Sequence, residues 1–154
     1  MSRNRIIVLS IVGIAVVGFI VFQIIPAGSI HADFAAPGNP PVTVTITWDS
    51  PQTEKLARSA CFDCHSNETR YPWYSNIAPV SWLVNNDINE GRRKMNFSTG
   101  SHMFTDEMQN QIEKGLMPKS VYLPLHPEAN LTAEQKKQLI DGLIATFGVD
   151  DSNG

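Results

Sequence analysis

Two cysteines and a histidine stand together at Cys61, Cys64 and His65, and the chain has no other cysteine. At a separation of three, two thiols lie on the same side of a helical turn, where each can form a thioether to one of two neighbouring haem vinyl groups. The histidine that follows at once is then placed beneath the iron as an axial ligand. The pattern therefore predicts one covalently bound haem c, with His65 as its proximal iron ligand.

Three other uses of this cysteine pair were weighed against haem. A structural zinc site needs four closed ligands, usually from two such pairs, and the sequence has no second pair. A thioredoxin-like dithiol follows a strand in a βαβ pattern, whereas these cysteines end a predicted helix. A disulfide across so short a loop would add little stability. Haem is favoured over all three.

The sixth coordination position of the iron has two leading candidates. Met117 stands directly before Pro118 and ahead of the last predicted helix, where small cytochromes of the first class place their axial methionine. We favour Met117, although most methionines simply fill gaps in a core. His126 is the alternative, and it would give a bis-histidine iron with a lower potential.

Two further outcomes stay open for the sixth position. One is an iron without a sixth protein ligand, and the other is ligation by a residue in or near the polar stretches of the chain. The residues of that second kind are His102, Met103, Met108 and Met95. His31 lies in a predicted tether and is not expected to bind iron.

Large aromatic side chains follow the haem motif closely. Such rings can wall a haem and direct N–H or O–H groups to its propionates, or they can form ordinary core. They are Tyr71, Trp73, Tyr74 and Trp82. Arg92 is a candidate for the same pocket as a propionate partner, as is Arg93, although a solvated helix end is the favoured explanation of both arginines.

The elements that must position these residues are predicted to be helices. Asp49 or Ser50 can cap a helix with Pro51 at its first position, and apolar residues at helical spacing continue from there to the cysteines. Helical patterns also cover residues 80–90 and 105–114, and the glycine that follows each is expected to end it.

The last helix has the clearest boundaries. Thr132 and Gln135 form a capping box, and an apolar stripe runs from there to Gly148, so this helix can cross the first helix of the domain. Residues 42–48 alternate apolar residues with threonine, which fits either a strand or extended chain. The predicted fold is all-α: a small cytochrome-c-like helical domain around one covalent haem, preceded by a single transmembrane helix.

The N-terminus predicts the topology. Residues 6–25 carry no charge, and as a helix they would be about 30 Å long, which is roughly the hydrocarbon thickness of a bilayer. Arg3 and Arg5 precede this segment, which favours a cytoplasmic N-terminus and an exported remainder. A cleaved signal peptide is the alternative, since residues 27–29 are small. The expected location is the inner membrane, single-pass, with the haem domain on the periplasmic side.

Length and charge limit the remaining choices. A chain of 154 residues is long enough for one domain, and we divide it into an anchor (1–26), a tether (27–47), a haem domain (48–148) and a tail (149–154). The net charge is −3, and the sequence has no basic stripe that could neutralise phosphates, so nucleic-acid binding is not expected. The expected partners are the membrane, through the N-terminal helix, and an unidentified redox protein near it.

Several short segments together resemble the bacterial haem-binding domain family of small cytochrome-c-like proteins. They are residues 61–69 (CFDCHSNET), 72–74 (PWY), 77–82 (IAPVSW), 91–92 (GR), 96–98 (NFS), 117–118 (MP) and 125–129 (LHPEA). The resemblance covers about residues 48–147. It implies a c-haem domain in the bacterial envelope, often tethered to the membrane, with a partner that is generally unassigned. It does not supply a sixth ligand.

One-electron transfer is the leading functional hypothesis, with the protein acting as a carrier rather than an enzyme. A haem-based gas or redox sensor is the alternative, and it would need an open or displaceable sixth position. A small peroxidase ranks last, because His102 or His126 would have to serve as a distal acid–base group and so could not ligate the iron.

Overall fold

The structure is a computed structural model that describes residues 2–149, and within that range it is all-helical. The prediction of an all-α fold is confirmed. Short 3-10 turns connect six α-helices: α1 (Arg3–Ile24), α2 (Pro51–Ala60), α3 (Phe62–His65), α4 (Val80–Lys94), α5 (Thr105–Glu113) and α6 (Ala133–Phe147). The predicted tail lies outside the described residues except for Val149.

Helix α1 has the length and composition of a membrane span. Its most apolar window has a mean hydropathy of 2.8, and none of that window is buried inside the protein. A helix with no buried face needs an apolar surrounding, and a bilayer provides one. A cleaved signal sequence near an N-terminus has the same length and composition, so α1 fits either a membrane anchor or a signal sequence.

The chain divides into two compact units. The first comprises residues up to 36 together with 71–87, and the second comprises residues 37–70 together with those from 88 onward. In the first unit, Gln23 at the end of α1 pairs with the backbone of Ala78 through two hydrogen bonds of 3.0 Å. The ring of Trp82 lies 5.6 Å from that of Phe22 and stacks on that of Phe34 at 6.1 Å.

The second unit contains the main hydrophobic core. Helices α2, α5 and α6 pack together around buried side chains, including Leu56, Phe97 and Leu139. Helix α6 crosses α2 closely, because Gly142 has no Cβ and Thr53 occupies the space where one would stand. The expected crossing of the first and last helices of the domain is confirmed.

The predicted helix starts agree with the structure. Ser50 caps α2 by accepting a hydrogen bond from the N–H of Thr53, with Pro51 at the first helical position. Thr132 and Gln135 form the reciprocal capping box at the start of α6. These signals were readable because a cap involves residues only three positions apart.

Residues 42–48 adopt extended chain and do not form a strand. The N–H groups of Thr43 and Val44 both donate to the carbonyl oxygen of Ser98, at 2.8 and 3.1 Å. A strand ladder would require alternating partners, whereas here one carbonyl accepts from two successive residues. The extended alternative is therefore the one observed. Part of the segment expected to be a tether thus belongs to the second unit and is hydrogen-bonded within it.

Candidate functional site

The cysteine and histidine motif lies on a single helical turn, just after the point where helix α2 ends. Helix α2 ends at Ala60, and Cys61 closes it by donating its N–H to the carbonyl oxygen of Ala57 at 2.9 Å. The carbonyl oxygen of Cys61 then accepts from the N–H groups of Cys64 and His65, at 3.2 and 2.9 Å. The motif therefore does not end the first helix, as the sequence suggested, but forms a short helix of its own.

Cys61 and Cys64 are not joined by a disulfide. Burial raises the pKa of the Cys61 thiol to about 12, and the neighbouring Cys64 raises it further. Among residues 2–149, no group of three or more His, Cys, Asp or Glu side chains is arranged to hold a metal ion. Within that range the pair thus lacks the additional ligands that a closed zinc site requires.

The imidazole of His65 is oriented by helix α4. Its Nδ1 lies 2.9 Å from the carbonyl oxygen of Gly91 and 3.3 Å from that of Met95. Because both partners are acceptors, Nδ1 must carry the hydrogen, and Nε2 keeps the lone pair that binds a metal. Burial lowers the pKa of His65, and the positive charge of Lys119 lowers it further, while the two backbone carbonyls oppose this shift. The ring is therefore a neutral imidazole of defined orientation.

Gly91 lets α4 lie against the motif. A Cβ at this position would lie 2.5 Å from the carbonyl oxygen of Cys64, which no side chain tolerates. The prediction that Gly91 ends the helix is wrong, since α4 continues to Lys94. The glycine is needed for close approach of two backbones, a role that the local sequence does not distinguish from a helix stop.

The residues after His65 form a buried polar network with the segment after α4. The amide of Asn96 donates to Oδ1 of Asn67 at 2.9 Å, and the N–H of Asn67 donates to the hydroxyl of Ser98 at 2.9 Å. The N–H of Phe97 donates to the carbonyl oxygen of His65, also at 2.9 Å. This network explains why the HSN and NFS segments occur together: each satisfies the buried polar groups of the other.

Arg92 joins three parts of the second unit. Its Nε donates to the carbonyl oxygen of Ser66 at 2.7 Å, and its Nη1 donates to that of Gly38 at 2.8 Å. Its Nη2 donates to Oδ1 of Asn39 and Oγ1 of Thr69, both at 3.0 Å. Arg92 therefore fastens the chain that follows the motif to residues 38 and 39. Arg93, by contrast, forms an exposed ion pair with Glu90.

Asp63 and Tyr122 form a contact that the sequence reasoning missed. Asp63 is buried between the two cysteines, and its Oδ2 accepts a hydrogen bond of 2.7 Å from the hydroxyl of Tyr122. Arg70 also binds this carboxylate, through its backbone N–H and its guanidinium. The only signal in the sequence was an acidic residue inside an otherwise apolar turn.

The two leading candidates for the sixth ligand lie on the loop that carries Tyr122. Met117 is partly buried, and its N–H donates to the carbonyl oxygen of Gln111 at 3.1 Å. His126 is buried; its ring stacks on that of Tyr122 at 3.8 Å, and its Nδ1 lies 3.3 Å from a carboxylate oxygen of Glu128. Both assignments stay predictions.

The lesser candidates have other surroundings. Met108 is part of the core, and Met95 and Met103 pack against it. His102 is exposed, has a φ of 57° and lies beside the ring of Phe104. His31 is exposed and lies near Asp33.

The four aromatic residues proposed for the pocket belong to the first unit. Trp73 is 77 % exposed and meets the ring of Tyr74 edge-on at 5.8 Å. Tyr71 is also exposed, and Trp82 packs on two phenylalanines of its own unit. In the second unit, Trp48 was not among the residues predicted to line the pocket. Its ring lies close to those of three phenylalanines: Phe62, Phe97 and Phe147.

The donor set fits a haem. The thiols of Cys61 and Cys64 and the imidazole of His65 stand on one turn, and the imidazole nitrogen that faces away from the backbone carbonyls is the one suited to iron. Fold and site thus define a small helical protein built to hold a haem beside a C-x-x-C-H turn. The family model for the haem-binding domain matches residues 17–145, and the chain belongs to this family. No curated protein and no solved structure matches the chain.

Proposed function

We propose that this protein is a membrane-anchored c-type cytochrome that holds one haem through Cys61 and Cys64 and transfers single electrons on the extracytoplasmic side of the membrane. The observation that supports this most directly is the hydrogen bond between Nδ1 of His65 and the carbonyl oxygen of Gly91. It selects the tautomer and ring orientation that an axial histidine needs, and it does so beside the thiols of Cys61 and Cys64.

Covalent attachment follows from the chemistry of the thiols. Each thiol adds across one vinyl group, so that a C–S bond forms and the hydrogen passes to the other vinyl carbon. The addition consumes no oxidant or reductant. The motif occupies one helical turn, and the ring of His65 is fixed by its hydrogen bond to the backbone of α4.

Electron transfer is favoured over catalysis by what the chain's residues do. A bound haem supplies a one-electron couple between ferric and ferrous iron. Hydrogen bonds from Nδ1 of His65 to the carbonyl oxygens of Gly91 and Met95 restrict the ring, and the network of Asn67 and Asn96 restricts the backbone that follows it. A ligand held this firmly changes little between oxidation states, which suits a carrier.

For the sixth position we propose Met117. Its loop reaches the motif, because the hydroxyl of Tyr122 on that loop donates to Oδ2 of Asp63. His126 lies on the same loop, where its ring stacks on that of Tyr122 and its Nδ1 lies beside Glu128. These contacts leave Nε2 of His126 able to bind a metal, so His126 stays the alternative sixth ligand.

The attachment is tested by unfolding the full chain after purification from cells that mature c-type cytochromes. We expect the haem colour to stay with the denatured polypeptide, and the mass to equal that of the chain plus one haem. Cys61→Ala and Cys64→Ala should each leave one thioether, visible as a shift of the pyridine haemochrome band, and the double variant should lose the haem on unfolding. A colourless denatured wild-type chain contradicts the proposal.

Carrier and sensor are distinguished by carbon monoxide and by the redox spectrum. A carrier with Met117 on the iron should be low-spin in both oxidation states and bind carbon monoxide slowly. Met117→Ala should remove the weak ferric band of the methionine–iron bond and lower the potential, whereas Met108→Leu, a change in the core, should preserve both. Fast carbon monoxide binding to a high-spin ferrous wild type would favour the sensor, or a peroxidase.

Membrane anchoring is tested by fractionation and N-terminal sequencing. We expect the full chain in the membrane fraction after alkaline washing, with residues 2–24 retained. A soluble haem protein that begins near residues 27–29 would instead identify α1 as a cleaved signal sequence.

A further inference from the structure

Residues 116–126, the distal loop, connect α5 to the turns before α6 and reach the haem motif at one polar contact. The hydroxyl of Tyr122 donates to Oδ2 of Asp63 at 2.7 Å, across 59 positions of sequence. Asp63 is 9 % exposed and stands between Cys61 and Cys64. A hydrogen bond to a buried carboxylate is stronger than one between neutral groups, so this contact is well suited to holding a loop in place.

The carboxylate is itself held in position. The N–H of Arg70 donates to Oδ1 at 3.1 Å, and its guanidinium donates to both carboxylate oxygens at 3.3 Å. Arg70 thus holds the carboxylate of Asp63 with Oδ2 toward the hydroxyl of Tyr122. Burial and the bond to Asp63 also raise the pKa of Tyr122, so its hydroxyl stays a donor.

Apolar packing holds the distal loop only weakly. Leu116, Val121 and Leu125 are 53, 78 and 64 % exposed, so they bury little of their surface in the protein. Near the start of the loop, the N–H of Met117 donates to the carbonyl oxygen of Gln111. At its far end, the ring of His126 stacks on that of Tyr122. The tyrosine is therefore the residue through which both the middle and the end of the loop are fixed.

We propose that Tyr122 is a positioning residue that, by its hydrogen bond to Asp63, holds the distal loop over the haem motif and keeps Met117 at the sixth position of the iron. This inference rests on the proposed function, because it requires a haem at Cys61, Cys64 and His65. It assigns Asp63 the role of anchoring the distal loop to the attachment motif. The exposed apolar side chains of the loop then have a partner of suitable chemistry, the face of the porphyrin.

The test is the rate of carbon monoxide binding to the ferrous full-length holoprotein, with Tyr122→Phe as the variant. Phenylalanine keeps the ring that stacks on His126 and removes only the hydroxyl. Loss of a hydrogen bond to a charged acceptor should let Met117 leave the iron more often, so binding should accelerate roughly tenfold. The ferric methionine band should weaken, and trypsin should cut faster after Lys119.

Two matched variants separate positioning from a general loss of stability. Arg70→Gln removes the guanidinium from Asp63 but leaves the backbone N–H of residue 70 bonded to Oδ1 and the hydroxyl of Tyr122 bonded to Oδ2, so it should change the rate by less than about threefold. In a Met117→Ala background, carbon monoxide binding is already fast, so adding Tyr122→Phe should have almost no further effect on it.

The outcomes distinguish this inference from the proposed function. If wild type and Tyr122→Phe both keep a covalent haem and bind carbon monoxide at the same rate, the positioning role is wrong while the cytochrome stands. Equal acceleration by Arg70→Gln, or a full effect of Tyr122→Phe without Met117, also overturns it. A wild-type chain that lacks covalent haem removes the proposed function first. If Tyr122→Phe fails to fold, Asp63→Asn replaces it. The amide oxygen that this change introduces still accepts from Tyr122 but carries no charge, so this variant should accelerate carbon monoxide binding by less than about tenfold.

Discussion

Gly91 lies directly against the backbone of Cys64, with space for a hydrogen atom and none for a methyl group. An added Cβ would stand 2.5 Å from the carbonyl oxygen and 3.0 Å from the carbonyl carbon of Cys64. The same glycine supplies the carbonyl oxygen that binds Nδ1 of His65. One residue thus sets both the distance between α4 and the motif and the orientation of the His65 imidazole.

Gly91→Ala should therefore destabilise the folded protein. Because the obstacle is backbone, the helix must shift, and we expect a loss of about 1–3 kcal/mol in the free energy of unfolding, as overpacked sites show. Urea unfolding of the holoprotein measures it. An unchanged midpoint would mean that α4 can retreat from the motif freely.

Gly142→Ala provides a matched comparison, since its added methyl group meets the side chain of Thr53 rather than backbone. It should also destabilise the protein by about 1–3 kcal/mol. Adding Thr53→Ala removes the obstructing atoms, so the double variant should recover part of the loss. No variant of the Cys64 side chain should rescue Gly91→Ala in this way.

The buried pair of Asn67 and Asn96 should be coupled. Asn96→Ala leaves Oδ1 of Asn67 without its donor and the N–H of Ser98 without its acceptor, so a loss of about 1–3 kcal/mol is expected. Asn67→Ala should cost a similar amount, and the double variant should cost less than the sum, which a double-mutant cycle measures. The exposed Asn130→Ala serves as the control. Strict additivity would contradict the coupling.

Arg92→Lys should be costly although it preserves charge. A lysine ammonium cannot reproduce the fork that binds Ser66, Gly38, Asn39 and Thr69 together. We expect a loss of about 1–3 kcal/mol in urea unfolding. The neighbouring Arg93→Lys, in an exposed pair with Glu90, should change stability by less than about 1 kcal/mol. Equal effects of both changes would show that the fork contributes nothing beyond its charge.

The cap of α6 should make a smaller, local contribution. Thr132→Ala removes the acceptor for the N–H of Gln135 and should cost about 1 kcal/mol. Thr132→Ser keeps a hydroxyl in place and should recover most of this loss. Thermal unfolding of the three proteins side by side provides the measurement, and a cap without effect would leave serine and alanine indistinguishable.

Much of the helical framework could be predicted from short patterns. The starts of α2 and α6 depend on Ser50 and on Thr132, and each cap contacts a residue three positions away. The end of α5 was equally readable, because Gly115 follows it with a φ of 66° that favours glycine. The same rule failed at Gly91, where the reason for glycine is a neighbour far away in sequence.

The candidate site divides in the same way. The thiols and imidazole of residues 61–65 were recognisable because thioether attachment and axial ligation depend on spacing within one turn. The roles of Arg92 and Tyr122 were not, because their partners are brought to them by the packing of separate segments. Arg92 was placed with a propionate or in solvent, and its observed partners are oxygen atoms of the chain itself.

By itself the sequence determined that the chain is helical, that it begins with a segment apolar enough for a membrane, and that it carries a haem-type turn. Those properties are set by composition and by residues a few positions apart. Only the tertiary structure decided which nitrogen of His65 is tied to backbone, which glycine admits a helix, and which tyrosine meets the motif. Contacts across tens of residues depend on how helices pack, and local spacing does not encode that packing.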